Sequence, residues 1–208
     1  MYRNIIFDVG EVMFDYQWIE AVRMGGTTME EALVLGPKLF NDPLWKELDL
    51  GVRPYFEVVE EMAANNPEYA DVVRKFLTNV ENMPKDRAAV WEKVHELKKC
   101  GYKLYIVSNY SEYMFSRHTK GKPFIDDMDG MMVSYMVHIN KPDEGIYRAL
   151  LEKYDLKPEE SLFFDDRPEN VEGAAKCGID GIVVTGQDML LEELDKLMNR
   201  GDGVVGSF

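Results

Sequence analysis

The chain has 208 residues, 46% hydrophobic and 30% charged, with 38 acidic against 24 basic side chains and a formal charge of -14. That composition excludes a disordered chain, and the length suits one folded domain carrying an insertion. The acidic excess repels nucleic-acid backbones and anionic lipid at long range, but it still allows a small anionic substrate held inside a cleft by local cations and backbone N–H groups. Cys100 and Cys177 stand alone, without metal or redox spacing. No stretch approaches the roughly 20 apolar residues of a membrane helix, and the N-terminal apolar run is too short for a signal peptide, so a cytoplasmic protein is expected.

In chain order, the first element is a strand over 4–8, "NIIFD", which ends on the carboxylate of Asp8. Helices are expected over 18–25, 28–36, 42–51, 53–66 and 68–80, with no convincing strand among them. That interval is longer than a plain crossover needs, and it implies an inserted helical module. The helix over 87–100 places Val90, Val94 and Leu97 at helical spacing. Strands over 103–109, 131–137, 161–166 and 181–184 then alternate with helices over 144–154 and 169–178. A terminal helix over 187–198 precedes a frayed tail, "NRGDGVVGSF", whose RGD is read as chance. Strands alternating with helices of this length predict βαβ crossovers and a doubly wound, Rossmann-like parallel α/β sheet. Its core spans 1–15 and 86–208, and the all-helical cap spans 16–85.

In such a sheet, ligands bind beyond the carboxyl ends of the strands, where strand order reverses. Here those ends carry Asp8, Ser108–Asn109 and Asp165–Asp166, and Lys141–Pro142 precedes the helix at 144. Each is weak alone, because a strand-end Asp or Ser commonly forms a turn or caps a helix. Two adjacent carboxylates repel one another unless a cation or a shared proton relieves them. A magnesium ion, which prefers oxygen ligands and keeps several waters, is the natural solution. Asp8, Ser108, Lys141 and Asp165–Asp166 together make a nucleophile, a phosphate clamp and a metal site, which is the equipment of phosphoryl transfer.

The segments "IIFDVGEV", "LYIVSN", "NKP" and "LFFDDRPEN" resemble, in order, the four motifs of the haloacid dehalogenase-like (HAD) hydrolase superfamily, in the subgroup with a helical cap after the first motif. The first motif is similar to a branch containing sugar-phosphate phosphatases and the N-terminal domain of soluble epoxide hydrolase. The resemblance implies a phosphomonoester hydrolase acting on a small phosphorylated metabolite, with a sugar 1-phosphate among the candidates. By position, Asp8 is then the nucleophile that forms an aspartyl-phosphate. Ser108, the Asn109 backbone and Lys141 hold the phosphoryl oxygens. Asp8, the Gly10 carbonyl, Asp166 and Asp165 hold Mg²⁺, with Asp165 either a ligand or an orienting group. The chain departs from the pattern at Gly10, where an Asp is usual, at Glu11, where a Gly is usual, and at Asn170, where many members carry Asp.

The carboxylate absent at Gly10 normally protonates the leaving oxygen and then activates water, work that contributes about 10²–10⁴-fold. Its loss favours good leaving groups such as anomeric or aryl phosphates. Glu11, an ordered water or a residue of "LWKELD" (44–49) are the available substitutes, although neighbouring residues point apart and this counts against Glu11. Dehalogenation of a 2-haloacid also employs a nucleophilic Asp, but the Asp165–Asp166 pair argues against a reaction that needs no metal. A metabolite- or partner-binding protein that keeps the fold without catalysis is the rival of a different class. Trp45 is the tryptophan placed to meet a substrate under the cap, while Trp18 and Trp91 are read as core or interface. Arg53 is a weak candidate for an anionic substrate, and His95, His118 and His138 lack metal spacing and are set aside.

Overall fold

The computed structural model describes residues 1–199. The first apolar run becomes β1 (Asn4–Phe7), buried along its whole length. After a turn the chain forms β2 (Phe14–Tyr16), and five helices follow: α1 (Trp18–Arg23), α2 (Met29–Phe40), α3 (Pro43–Leu50), α4 (Tyr55–Ala64) and α5 (Ala70–Thr78). Local chemistry sets their ends. Thr28 and Glu31 form a reciprocal capping box at α2. Asp42 caps α3 with Pro43 in its first turn, and Gly51 closes that helix at φ 62°, a conformation glycine adopts without penalty. The chain leaves the helices through β3 (Pro84–Asp86), antiparallel to β2 with Lys85 opposite Asp15. Arg87 fastens this crossing. Its Nη2 lies 2.5 Å from Asp15 Oδ1, and its Nη1 donates to the Glu11 carbonyl.

Beyond the crossing the order is α6 (Ala88–Lys99), β4 (Lys103–Ser108), α7 (Glu112–Thr119), α8 (Pro123–Asp126), β5 (Gly130–Val133) and α9 (Ser134–Val137). It continues with α10 (Glu144–Tyr154), β6 (Ser161–Asp165), α11 (Pro168–Lys176), β7 (Asp180–Val183) and α12 (Gln187–Asn199). The sheet runs β5-β4-β1-β6-β7 with every neighbouring pair parallel, so the expected doubly wound α/β architecture holds. Successive strand residues face opposite sides, and this divides the interior. Ile5, Phe7, Ile106 and Phe164 pack with Val94 of α6 and Leu194 of α12, while Ile6, Val107 and Phe163 pack with Ile146 of α10 and Ala174 of α11. Among the described residues no helix is long and apolar enough to cross a membrane.

Three expectations change. The run 131–137 is strand only to Val133, and Ser134–Val137 is helical. A continuous apolar run buries equally well as either, so periodicity cannot separate them. The interval before residue 87 does hold strands, the short pair β2 and β3, and α7 and α8 were not anticipated. The tail expected to fray lies outside the described residues from residue 200 on.

Candidate active site

The middle of the sheet delivers two carboxylates side by side. Phe7 is in register with Phe164, and the Asp8 N–H donates to the Phe164 carbonyl at 2.8 Å, so Asp8 and Asp165 leave adjacent strands together. Ser108 ends β4 on the other flank of β1, and its hydroxyl donates to Asp8 Oδ1 at 2.6 Å. Lys141, from the loop between α9 and α10, lies 2.8 Å from that oxygen and 2.6 Å from Asp165 Oδ2. Asn109 holds this lysine's backbone, accepting from the Lys141 N–H at 2.7 Å and donating to its carbonyl at 3.0 Å. All four charged or hydroxyl groups (Asp8, Ser108, Lys141 and Asp165) are buried, and buried charges persist only when paired and hydrogen-bonded.

The pairing is uneven. Burial pushes the Asp8 carboxyl up, against the pull of Lys141. Burial also opposes a charged Lys141, but the combined attraction of Asp8 and Asp165 holds its ammonium above the ordinary value. Asp165 is saturated. Beyond Lys141 it accepts from the Arg167 N–H at 2.8 Å and from Asn170 Nδ2 at 2.9 and 3.1 Å. Asn170, a departure from the family pattern, thus supplies donors to Asp165 where a further carboxylate would repel it. Asp166 has weaker support: burial, then Asp8 and Asp165, raise it to about 7 against the pull of Lys141 and a hydrogen bond from its own backbone N–H. Oxygens of Asp8, Asp165 and Asp166 lie within 4.8 Å of one another. Three carboxylates against one ammonium, offering hard oxygen donors only, fit a cation of the magnesium type.

Asp8, Lys141 and Asp166 floor a cavity of about 330 Å³ that is also lined by Gly10, Glu11, Tyr16, Asp49, Ser108, Asn109, Tyr110 and His118, and walled by Trp18, Phe40, Trp45, Met83 and Met114, while Asp165 lies buried beneath it. Trp45, expected to meet a substrate under the cap, is among the lining residues. Trp18, read as core or interface, joins it on the cavity wall, with Phe40 packed between them at ring-centroid distances of 5.5 and 4.7 Å. Glu11 lines the cavity, but its carboxylate is committed to the turn: Oε1 accepts from the Tyr16 N–H at 2.9 Å, and Arg87 lies 3.5 Å from Oε2. Arg53 pairs with Glu47 at 3.0 Å and Glu61 at 2.7 Å and lines a separate surface groove.

Gly10 has a structural cause. A Cβ built on it would stand 2.8 Å from Tyr16 Cε2, so the ring occupies the space that a side chain at position 10 would need. The ring is itself anchored. The Tyr16 hydroxyl contacts the Tyr110 hydroxyl, which lies 2.9 Å from His118 Nδ1, while His118 Nε2 lies 2.8 Å from the Val80 carbonyl. Burial lowers His118 to about 4, so the imidazole is neutral. Its only proton must then face the Val80 carbonyl, which leaves Nδ1 to accept from Tyr110 and Tyr110 to accept from Tyr16. The three residues carried no joint signal in the sequence. Tyr16 and Tyr110 lie 94 positions apart, and His118 was set aside for lacking metal spacing.

A parallel doubly wound sheet with a paired nucleophile-type carboxylate, a buried lysine and an acidic pair at its strand ends defines the class, and the chain belongs to the haloacid dehalogenase-like hydrolase family, whose model matches residues 41–184. The chain is 25% identical to a sesquiterpene phosphatase of Aspergillus oryzae over 201 residues, spanning 95% of this chain and 97% of the relative. It is likewise 25% identical over 198 residues to a D-ribitol-5-phosphate phosphatase of Bacteroides thetaiotaomicron, spanning 86% of this chain and 90% of that protein. A HAD-family enzyme of Bacteroides thetaiotaomicron, solved with magnesium and inorganic phosphate, superposes with a TM-score of 0.72 at 18% identity, covering 89% of this chain and 96% of that one.

Proposed function

We propose that the protein is a Mg²⁺-dependent phosphomonoester hydrolase that acts on a small phosphorylated metabolite through an aspartyl-phosphate on Asp8. The observation that carries this reading is the asymmetric holding of Asp8. Its Oδ1 receives both Ser108 and Lys141, so among the described residues Oδ2 is the oxygen left for attack at the floor of the cavity. Lys141 and Ser108, together with the Asn109 backbone N–H, are the donors for the phosphoryl oxygens, whose charge they offset in the transition state. Asp165, held on both oxygens, keeps Lys141 charged and in place.

Asp8, Asp166 and the Gly10 carbonyl are the residues that would hold Mg²⁺, with Asp165 beside them. When bound, the ion supplies charge stabilisation at the phosphoryl group. The solved structure with magnesium and phosphate on a similar fold supports this assignment, as do the two phosphatase relatives for the reaction. Residues 16–85 act as a cap that closes the cavity. Its Trp18, Phe40 and Trp45 line the cavity, an aromatic surface suited to the C–H faces of a sugar and to a sugar 1-phosphate among the candidates.

The test is phosphate release from para-nitrophenyl phosphate and a panel of sugar phosphates, with Mg²⁺ and with a chelator, by the wild type and Asp8→Asn. Turnover that requires both Mg²⁺ and Asp8 is expected. Equal rates for the two proteins would end the phosphatase reading.

A further inference from the structure

The phosphatase reading leaves two proton transfers without a residue, because Tyr16 fills the place of the usual carboxylate at position 10. The titratable groups around the cavity can be taken in turn. Asp8, Lys141 and Asp166 are assigned to nucleophile, clamp and metal. Glu11 is committed to the turn and to Arg87. Tyr16 gives its only hydroxyl proton to Tyr110, and Tyr110 gives its own to His118, so neither phenol has a proton to offer. His118 lines the cavity too, but both of its ring nitrogens are engaged, Nδ1 by Tyr110 and Nε2 by the Val80 carbonyl, and Arg167, paired with Glu169, keeps its proton.

Asp49 remains, and it is built into place. It lies in the last turn of α3 and lines the same cavity as Asp8, Gly10 and Lys141. The end of α3 is fastened to the segment that carries Lys141: Ser134 Oγ donates to the Asp49 carbonyl at 2.6 Å, His138 Nδ1 donates to the Leu50 carbonyl at 2.7 Å, and Asn140 Nδ2 reaches the Lys46 carbonyl at 3.4 Å. The Asp49 carboxylate itself accepts from the Ser111 backbone N–H, on the loop that follows Ser108 and Asn109. A side chain from the helical insertion is thereby fixed against both phosphate-holding segments of the sheet.

We propose that Asp49 is the acid–base catalyst of the phosphatase reaction, supplied across the cleft in place of the carboxylate that position 10 lacks; this rests on the function proposed above. In the first half, an Asp8 oxygen bonds to phosphorus as the bond from phosphorus to the leaving oxygen breaks, and the Asp49 proton passes to that oxygen. In the second half, the Asp49 carboxylate takes a proton from water as the water oxygen bonds to phosphorus. The bond to Asp8 breaks with its electron pair returning to the carboxylate, phosphate leaves, and Asp49 is again the acid. Burial, with Asp8 adding to it and Lys141, Ser111 and Arg167 pulling back, raises this carboxyl to about 7, where both forms are accessible at neutral pH.

Asp49→Asn tests this, because the amide keeps the size and the acceptor for Ser111 but moves no proton. With para-nitrophenyl phosphate, whose leaving group needs no acid, the variant is expected to release a burst of about one nitrophenolate per active site and then turn over about 10²–10⁴-fold slower than wild type. With glycerol phosphate it is expected to show neither burst nor turnover, and Asp49→Glu to recover part of both activities. Wild-type rates on glycerol phosphate, or equal loss on both substrates without a burst, would overturn the assignment, the latter showing a positioning role only. The phosphatase reading fails separately, and takes this proposal with it, if wild type hydrolyses neither ester or Asp8→Asn matches it.

Discussion

Restoring the usual carboxylate with Gly10→Asp is expected to harm this protein. A Cβ at position 10 meets Tyr16 Cε2 at 2.8 Å, against about 3.5–4.0 Å for carbons in contact, an overlap of about 0.7 Å or more. Gly10 is not among the residues with positive φ, so the backbone accepts a side chain and the ring is the whole obstacle. Overpacking of this kind costs about 1–3 kcal/mol, which for a chain of this size lowers Tm by about 2–12 °C. Gly10→Ala isolates that cost. Gly10→Asp adds a further carboxylate beside Asp8, Asp165 and Asp166, and should lower phosphate release as well. The assay is a thermal melt of Gly10→Ala in the wild-type and Tyr16→Ala backgrounds, read as a double-mutant cycle. The penalty should vanish where the ring is gone. An equal penalty in both backgrounds, or a Gly10→Asp protein with unchanged Tm and faster turnover, would refute the claim that Tyr16 owns this space.

Lys141→Met removes the cation between Asp8 and Asp165 and should destabilise the fold by about 3–5 kcal/mol in urea unfolding, as breaking a buried pair does; a loss below about 1 kcal/mol would contradict the pairing. Burial depresses His118 in the folded state to about 4 from 6.5, against the Val80 carbonyl and Glu81, which raise it, and with Lys122 lowering it further. Between those values the unfolded chain binds the extra proton. Stability from this group is therefore full above about pH 6.5 and falls by roughly 3 kcal/mol as pH drops through 4. His118→Gln should flatten that part of the stability–pH curve, and an unchanged slope would speak against a buried neutral imidazole. Mg²⁺ at about 100 times its Kd should add about 2.7 kcal/mol of stability, seen as a rise in Tm that Asp166→Asn abolishes. A rise retained in that variant would remove Asp166 from the ligand set.

The strand-end groups were legible because each ends a short apolar run that reads as a buried strand, so "NIIFD", "LYIVSN" and "SLFFDD" locate Asp8, Ser108 and Asp165 in the sequence itself. The run "MMVSYMV" misled for the same reason, since burial alone does not choose between strand and helix. What stayed hidden depends on tertiary contact. "LWKELD" was named as a possible source of the acid–base group, but nothing in it singled out Asp49, which the cavity lining and the hydrogen bonds from the 134–140 segment and Ser111 pick out. Gly10 looked like a loss. The ring that fills its space comes from six residues downstream, beyond a turn whose path the sequence does not reveal.

The most direct measurement is the site of phosphoryl attachment. The protein is mixed with para-nitrophenyl phosphate and Mg²⁺, quenched in acid within the first turnover, digested and sequenced by mass spectrometry. A phosphoryl group on Asp8 in the wild type, accumulating in Asp49→Asn and absent from Asp8→Asn, is the predicted result. Turnover with no phosphorylated Asp8 in any of the three proteins would contradict it.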